Sequence, residues 1–236
     1  GVTLVPRPGE MIEDATILLR DGLIEAIGTD LDVPAGYRVR DLSDHFVYAG
    51  RIDPAIVRSP GTALEQARNG AGSHWNSRIV PQIDMRDART IDSEGRKSLR
   101  SQGFTMAQVL PESGILRGNG AIVLLSERDP DARPLTERGM TFAALEQGGW
   151  GGSSGYPGSK MGAIALLRQT LDEARWHARN RAMFADDPNG LEPPEQSDAL
   201  DALEDAINGR QLMVSAASDE LDALRFARVA AEFALQ

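Results

Sequence analysis

His74-Trp75-Asn76-Ser77-Arg78 is the densest run of chemically versatile side chains in this sequence. An imidazole can donate, accept or ligate, an indole can stack, and a guanidinium can grip a carboxylate through two parallel hydrogen bonds. Such a set can line a pocket, so His74 and Trp75 are candidate substrate-binding residues. Each also has a simpler role: His74 as a loop residue bonding a carbonyl, Trp75 as an anchor of the loop in the core. Arg117 is the third candidate. It stands in Gly114-Ile115-Leu116-Arg117-Gly118-Asn119-Gly120, where glycines let backbone amides approach an anion and the arginine can clamp a carboxylate. No Gly-Lys-Ser/Thr follows and no helix opens there, so the run is not a P-loop; the simpler reading is a tight turn between strands.

Other chemistry is sparse. Cysteine is absent, which excludes disulfides, thiolate zinc sites and a cysteine nucleophile. The three histidines, His45, His74 and His177, are scattered, a thin supply for a metallohydrolase. His45 follows Asp44 in a turn, and His177 is expected on the wet side of a helix beside Glu173. Gly151-Gly152-Ser153-Ser154-Gly155 matches the letters of a nucleophile elbow. That elbow needs a strand entering and a helix leaving at once, and here Tyr156-Pro157-Gly158 follows. A net charge of −10 argues against a nucleic-acid groove. No apolar run reaches the roughly 18 residues of a membrane span. The sequence opens on Gly1-Val2-Thr3, strand-like and without Met, and reads as a trimmed start. A removed signal peptide therefore stays open, and with it a cytoplasmic or an exported, periplasmic location.

The elements that must position these residues follow from periodicity and breakers. Strands are expected over 2–5, 15–20, 23–28, 37–42 and 46–48, with a hairpin at Asp21-Gly22. Residues 58–90, broken by Pro60, Gly61, Gly70, Gly72 and Pro81, read as a long loop. A helix over 92–102 stops at Gly103, and strands follow over 104–110, 121–125 and 140–145, with a polar turn over 128–133. A long helix over 159–184 buries Ile164, Leu167, Leu171, Ala174 and Ala178. A further helix spans 197–208, then a strand spans 211–216. Ser218 caps a last helix with an acidic first turn.

Against this frame, Val47-Tyr48-Ala49-Gly50-Arg51-Ile52-Asp53-Pro54-Ala55-Ile56-Val57 resembles the start of the first barrel strand of the amidohydrolase superfamily, which reads roughly P-G-h-I-D-x-H-x-H with h apolar. In that family the two histidines bind the catalytic metal; here Ala55 and Val57 stand in their places. Asp53 matches the aspartate that supports the strand end, and its simpler role is to cap a loop amide. Gln211-Leu212-Met213-Val214-Ser215-Ala216 resembles a later strand, V-x-h-H-A, whose histidine ligand falls on Ser215. Neither Lys97, in an amphipathic helix, nor Lys160, at a helix start, matches the carbamylated lysine some members use. His-Trp-Asn at 74–76, Ile115-Leu116-Arg117-Gly118 and Tyr156-Pro157-Gly158-Ser159-Lys160-Met161-Gly162-Ala163-Ile164 are similar to an imidazolonepropionase-like, amidohydrolase-like subgroup of bacterial sequences.

The resemblance implies an α/β fold: a small β-sandwich portion over 1–49, then the N-terminal half of a (β/α) TIM-type barrel over 50–236. A full barrel takes about 250 residues, so the missing C-terminal half, or another amidohydrolase domain, is the implied partner, with a homo-oligomer as a further option. The implied activity is hydrolysis of non-peptide C–N bonds by metal-activated water. Three ligand positions without a ligand imply a retired metal site. No cofactor is then expected for this chain, and zinc or another divalent metal only with ligands from elsewhere. The alternative is a non-catalytic module that packs on or stabilises an active domain.

Overall fold

The protein, seen in a computed structural model, is described here for residues 1–86, 91–127, 135, 139–146 and 155–236. It divides into two compact units, Gly1–Arg51 and Ile52–Gln236.

In the first unit, β1 (Val2–Arg7), β2 (Glu10–Arg20), β3 (Leu23–Gly28) and β4 (Phe46–Tyr48) form one sheet in the order β3-β2-β1-β4. The β2–β3 hairpin turns at Asp21 and Gly22, whose φ angles of 52° and 81° are those of the primed turn that matches strand twist. Strands β1 and β2 bury Leu4, Ala15 and Leu18. No strand forms over 37–42. The chain there bonds locally instead. Asp41 accepts from the Ser43 amide at 2.9 Å and from its hydroxyl at 2.6 Å, and the His45 amide donates to the Leu42 carbonyl at 3.1 Å. Asp and Ser side chains compete with a sheet ladder in just this way.

The second unit holds β5 (Arg51–Arg58) from Ile52 on, β6 (Phe104–Pro111), β7 (Leu116–Asn119), β8 (Ala121–Leu124), β9 (Thr141–Ala144) and β10 (Met213–Ala216). They make two sheets, β5-β6-β8 and β10-β9-β7. The pairs β6–β8 and β7–β9 are antiparallel and β9–β10 is parallel. Among the described residues the fold is mixed α/β with separate sheets that do not close into a barrel. The reason is connection length. Only 112–115 separates β6 from β7, and Gly120 alone separates β7 from β8. A parallel crossover needs a dozen residues or more. The connection from β9 to β10 has that length and carries helices.

Of the expected 58–90 loop, the described residues 58–86 are not open. Thr62–Asn69 is helix α1, and residues 79–85 run along β7. The Val80 amide donates to the Leu116 carbonyl at 2.8 Å, the Met85 amide to the Asn119 carbonyl at 3.0 Å, and the Asn119 amide to the Ile83 carbonyl at 2.7 Å. Ile79 packs into a cluster with the β9–β10 sheet and its helices. Its neighbour Val80, with Ile83 and Met85, packs into a second cluster with β5, β6 and β8. One short segment thus joins both cores.

Helix α2 (Ser93–Ser101) starts on Asp92, which accepts from the Gly95 amide. Helix α3 (Lys160–Asp186) starts on Ser159, whose hydroxyl accepts from the Gly162 amide at 3.1 Å. Its buried stripe is Ala163, Leu166, Leu167, Thr170, Leu171, Ala174 and His177. His177 is therefore a core-facing residue and not a solvated one. It follows Ala174 by one helical step, and its Nε2 lies 3.0 Å from an Asp201 carboxylate oxygen. The expected 197–208 helix is two short ones, α4 (Asp198–Asp201) and α5 (Glu204–Ile207), buried through Ala199, Leu203, Ala206 and Ile207. Helix α6 (Glu220–Phe233) is capped by Asp219, not Ser218; Asp219 accepts from the Asp222 amide at 2.7 Å.

The start of α6 is tied to the start of α3 by Asp222. Its buried carboxylate accepts from Lys160, Ser218 and Arg225. These bonds, Lys160 first, hold the Asp222 carboxyl far below the usual aspartate range. A carboxyl depressed in the folded state contributes stability that is complete above its unfolded value, about 3.9, and is lost as pH falls through the folded value. We expect the wild type to lose stability below about pH 4 more steeply than Asp222→Asn does, read as urea midpoints across acid pH. Parallel curves would remove Asp222 as the cause.

Candidate functional site

A pocket of about 440 Å³ opens beyond the carboxyl end of β9, lined by Arg68, Trp75, Asn76, Arg78, Glu146 and Tyr156 among others. In α/β units, binding residues gather in loops past the carboxyl ends of parallel strands. Here β9 has a parallel neighbour in β10 and a later helix, α3, and the pocket lies past its carboxyl end. Of the three residues singled out in the sequence, Trp75 lines the pocket, while His74 and Arg117 lie buried.

Two internal fasteners shape the walls. The first is the 74–78 segment. His74 Nδ1 accepts from the Asn76 amide at 3.0 Å, so its proton sits on Nε2, which donates to a Glu173 carboxylate oxygen on α3 at 3.3 Å. Both ring nitrogens are thus engaged within the chain. Asn76 is buried: its Nδ2 donates to the Tyr156 carbonyl at 2.7 Å and its Oδ1 accepts from the Arg78 amide at 3.0 Å. Asn76 therefore joins the two loops that face each other across the pocket. Trp75 is 63% exposed, and its ring stacks on Tyr156 with centroids 6.4 Å apart and planes 21° from parallel. It is a surface of the pocket and not a core anchor.

The second fastener is Arg117. It lies within strand β7, not in a turn, and is buried. Its Nε donates to the Gly114 carbonyl at 3.0 Å, a terminal nitrogen pairs with Glu146, and the guanidinium lies 5.0 Å from the centroid of the Phe142 ring. The other Glu146 oxygen accepts from the Gly114 amide at 3.0 Å. Burial lowers the Arg117 pKa and the Glu146 charge opposes that shift; an arginine stays charged regardless. The carboxylate that Arg117 grips in this state belongs to the chain itself.

The positions matched to metal ligands stand apart. Ala55 and Val57 are exposed on β5, where Asp53 accepts from the Ala55 amide at 3.1 Å. Ser215 is on β10, in the other sheet, and its hydroxyl donates to the Ala216 carbonyl at 3.3 Å. Among the described residues no group of three or more His, Asp or Glu side chains is arranged to hold a metal. A methyl, an isopropyl and a serine hydroxyl do not fit the donor set that zinc takes. The serine of the elbow-like glycine run lies outside the described residues.

The fold is amidohydrolase-like. The chain is similar to the crystal structure of an amidohydrolase from Thermotoga maritima MSB8, with a TM-score of 0.72 over 93% of this chain at 18% identity. It spans 58% of that chain's length. No protein-family model matches the chain, and no curated protein matches it. At this identity the likeness concerns the fold alone.

Sequence reasoning did not single out Asn76, Glu146, Tyr156 or Glu173. One signal for Glu146 was available: it is the first charged residue after the apolar run that ends at Leu145, where the chain leaves a buried strand for a loop.

Proposed function

We propose that this chain is an amidohydrolase-like module without a catalytic metal of its own, serving to pack on or stabilise an active domain. The observation that carries the reading is the chemistry at the three matched strand positions. Ala55 and Val57 offer no lone pair, Ser215 offers a weak one, and β5 and β10 belong to separate sheets. The residues do not fit a metal, so no hydrolytic step is derived through one. The likeness to an amidohydrolase over 58% of that chain favours a second reading: a hydrolase of non-peptide C–N bonds whose ligands lie outside this region.

Metal content of this chain tests the first reading. Purified protein, equilibrated with zinc or manganese and then desalted, is expected to retain far less than one ion per chain by elemental analysis, and chelator is expected to leave its melting temperature unchanged. Retention of one or two ions per chain, with a lower melting temperature after chelation, would overturn the module reading.

A further inference from the structure

The pocket beyond β9 carries a charge pattern that the module reading does not use. The chain as a whole is acidic, at −10, yet this pocket is lined by two half-buried arginines, Arg68 and Arg78, and one carboxylate, Glu146. Glu146 is already paired with Arg117 behind the wall. Arg68 spends its Nε on the Ser77 carbonyl at 3.1 Å, leaving its terminal nitrogens free of any partner among the described residues. The Arg78 side chain has no hydrogen-bond or ion-pair partner at all among the described residues; only its backbone is engaged. A half-buried guanidinium without a counter-charge attracts an anion, and its planar fork suits a carboxylate. The opposite feature of the pocket is the exposed Trp75 ring stacked on Tyr156, a flat apolar surface that favours a second ring. The volume of about 440 Å³ suits a small molecule.

We propose that this pocket binds a small aromatic carboxylate, with the carboxylate on Arg78 beside Arg68 and the ring against Trp75 and Tyr156. The site needs no metal, so it stands or falls separately from the module reading.

Benzoate is the probe, followed by tryptophan fluorescence. Trp75→Phe assigns the signal, because Trp150 and Trp176 also emit. Benzamide and benzylamine present the same ring with no charge and with positive charge. The expected result is saturable binding of benzoate, with benzamide weaker by about tenfold or more and benzylamine not competing. Arg78→Gln is expected to weaken benzoate by about tenfold while leaving benzamide unchanged. Absence of saturable benzoate binding to folded wild type, or equal affinity for benzoate and benzamide, overturns the proposal without recourse to any variant. Unchanged benzoate affinity in Arg78→Gln removes Arg78 from it.

Discussion

Gly118→Ala is expected to lose about 3 kcal/mol or more of stability, seen as a large drop in urea midpoint. Gly118 has φ of +109°, a conformation that side chains rarely adopt, and an added Cβ would lie 2.4 Å from the Ile83 carbonyl oxygen. That oxygen is no flexible tip. It is backbone, and it accepts the Asn119 amide at 2.7 Å. Relief of the clash therefore requires the 79–85 segment to move off β7, and that segment sends Ile79 into one core and Val80, Ile83 and Met85 into the other. Gly190→Ala is the control. Its φ is also positive, at +76°, but nothing lies within 4 Å of the added Cβ, so only the backbone penalty of about 1–2 kcal/mol applies. Equal losses in the two variants would show that the close approach to Ile83 contributes nothing.

The same segment shows where the sequence stops being legible. The β2–β3 hairpin was readable because Asp21-Gly22 fixes the turn within the chain's own local geometry. The long helix was readable because its apolar stripe recurs over many turns. Residues 79–85 gave no such pattern: Pro81, Gln82 and Asp84 interrupt the apolar residues, and the ladder partner is β7, more than thirty residues away. Nor did any local signal report whether β6, β7 and β8 would turn back on themselves, although the four residues at 112–115 already leave no room for a crossover helix. At the site, side-chain type pointed to the right segment but not to the roles. His74 and Arg117 are the residues most suited to a ligand by chemistry, and both spend their hydrogen bonds inside the chain, on Glu173 and Glu146. His177 was misread for a related reason. A polar side chain was counted on the wet face, whereas its partner Asp201 is supplied by a helix that follows much later. Long-range pairing decides each of these cases, and a single sequence does not display it.

The Arg117–Glu146 pair gives the second large effect, and its asymmetry can be stated in advance. The Arg117 side chain is 7% exposed and that of Glu146 is 36% exposed. Glu146→Ala leaves a buried guanidinium without its counter-charge and a Gly114 amide without its acceptor, and is expected to cost about 3 kcal/mol. Arg117→Met removes the buried charge itself and fills part of its volume, while Glu146 can turn toward water; a loss of about 1–2 kcal/mol follows. The double variant Arg117→Met with Glu146→Ala should then be more stable than Glu146→Ala alone, because the second change deletes the charge that the first one stranded. Urea denaturation of the four proteins in a double-mutant cycle reads the sign directly. Additive losses would mean that the pair is solvated and exerts no mutual hold, and Glu146 would then be free to meet a ligand in the pocket as an unpaired carboxylate. The proposed selectivity for anions over cations would weaken with it, so the cycle and the benzoate titration test one arrangement of charge from two sides.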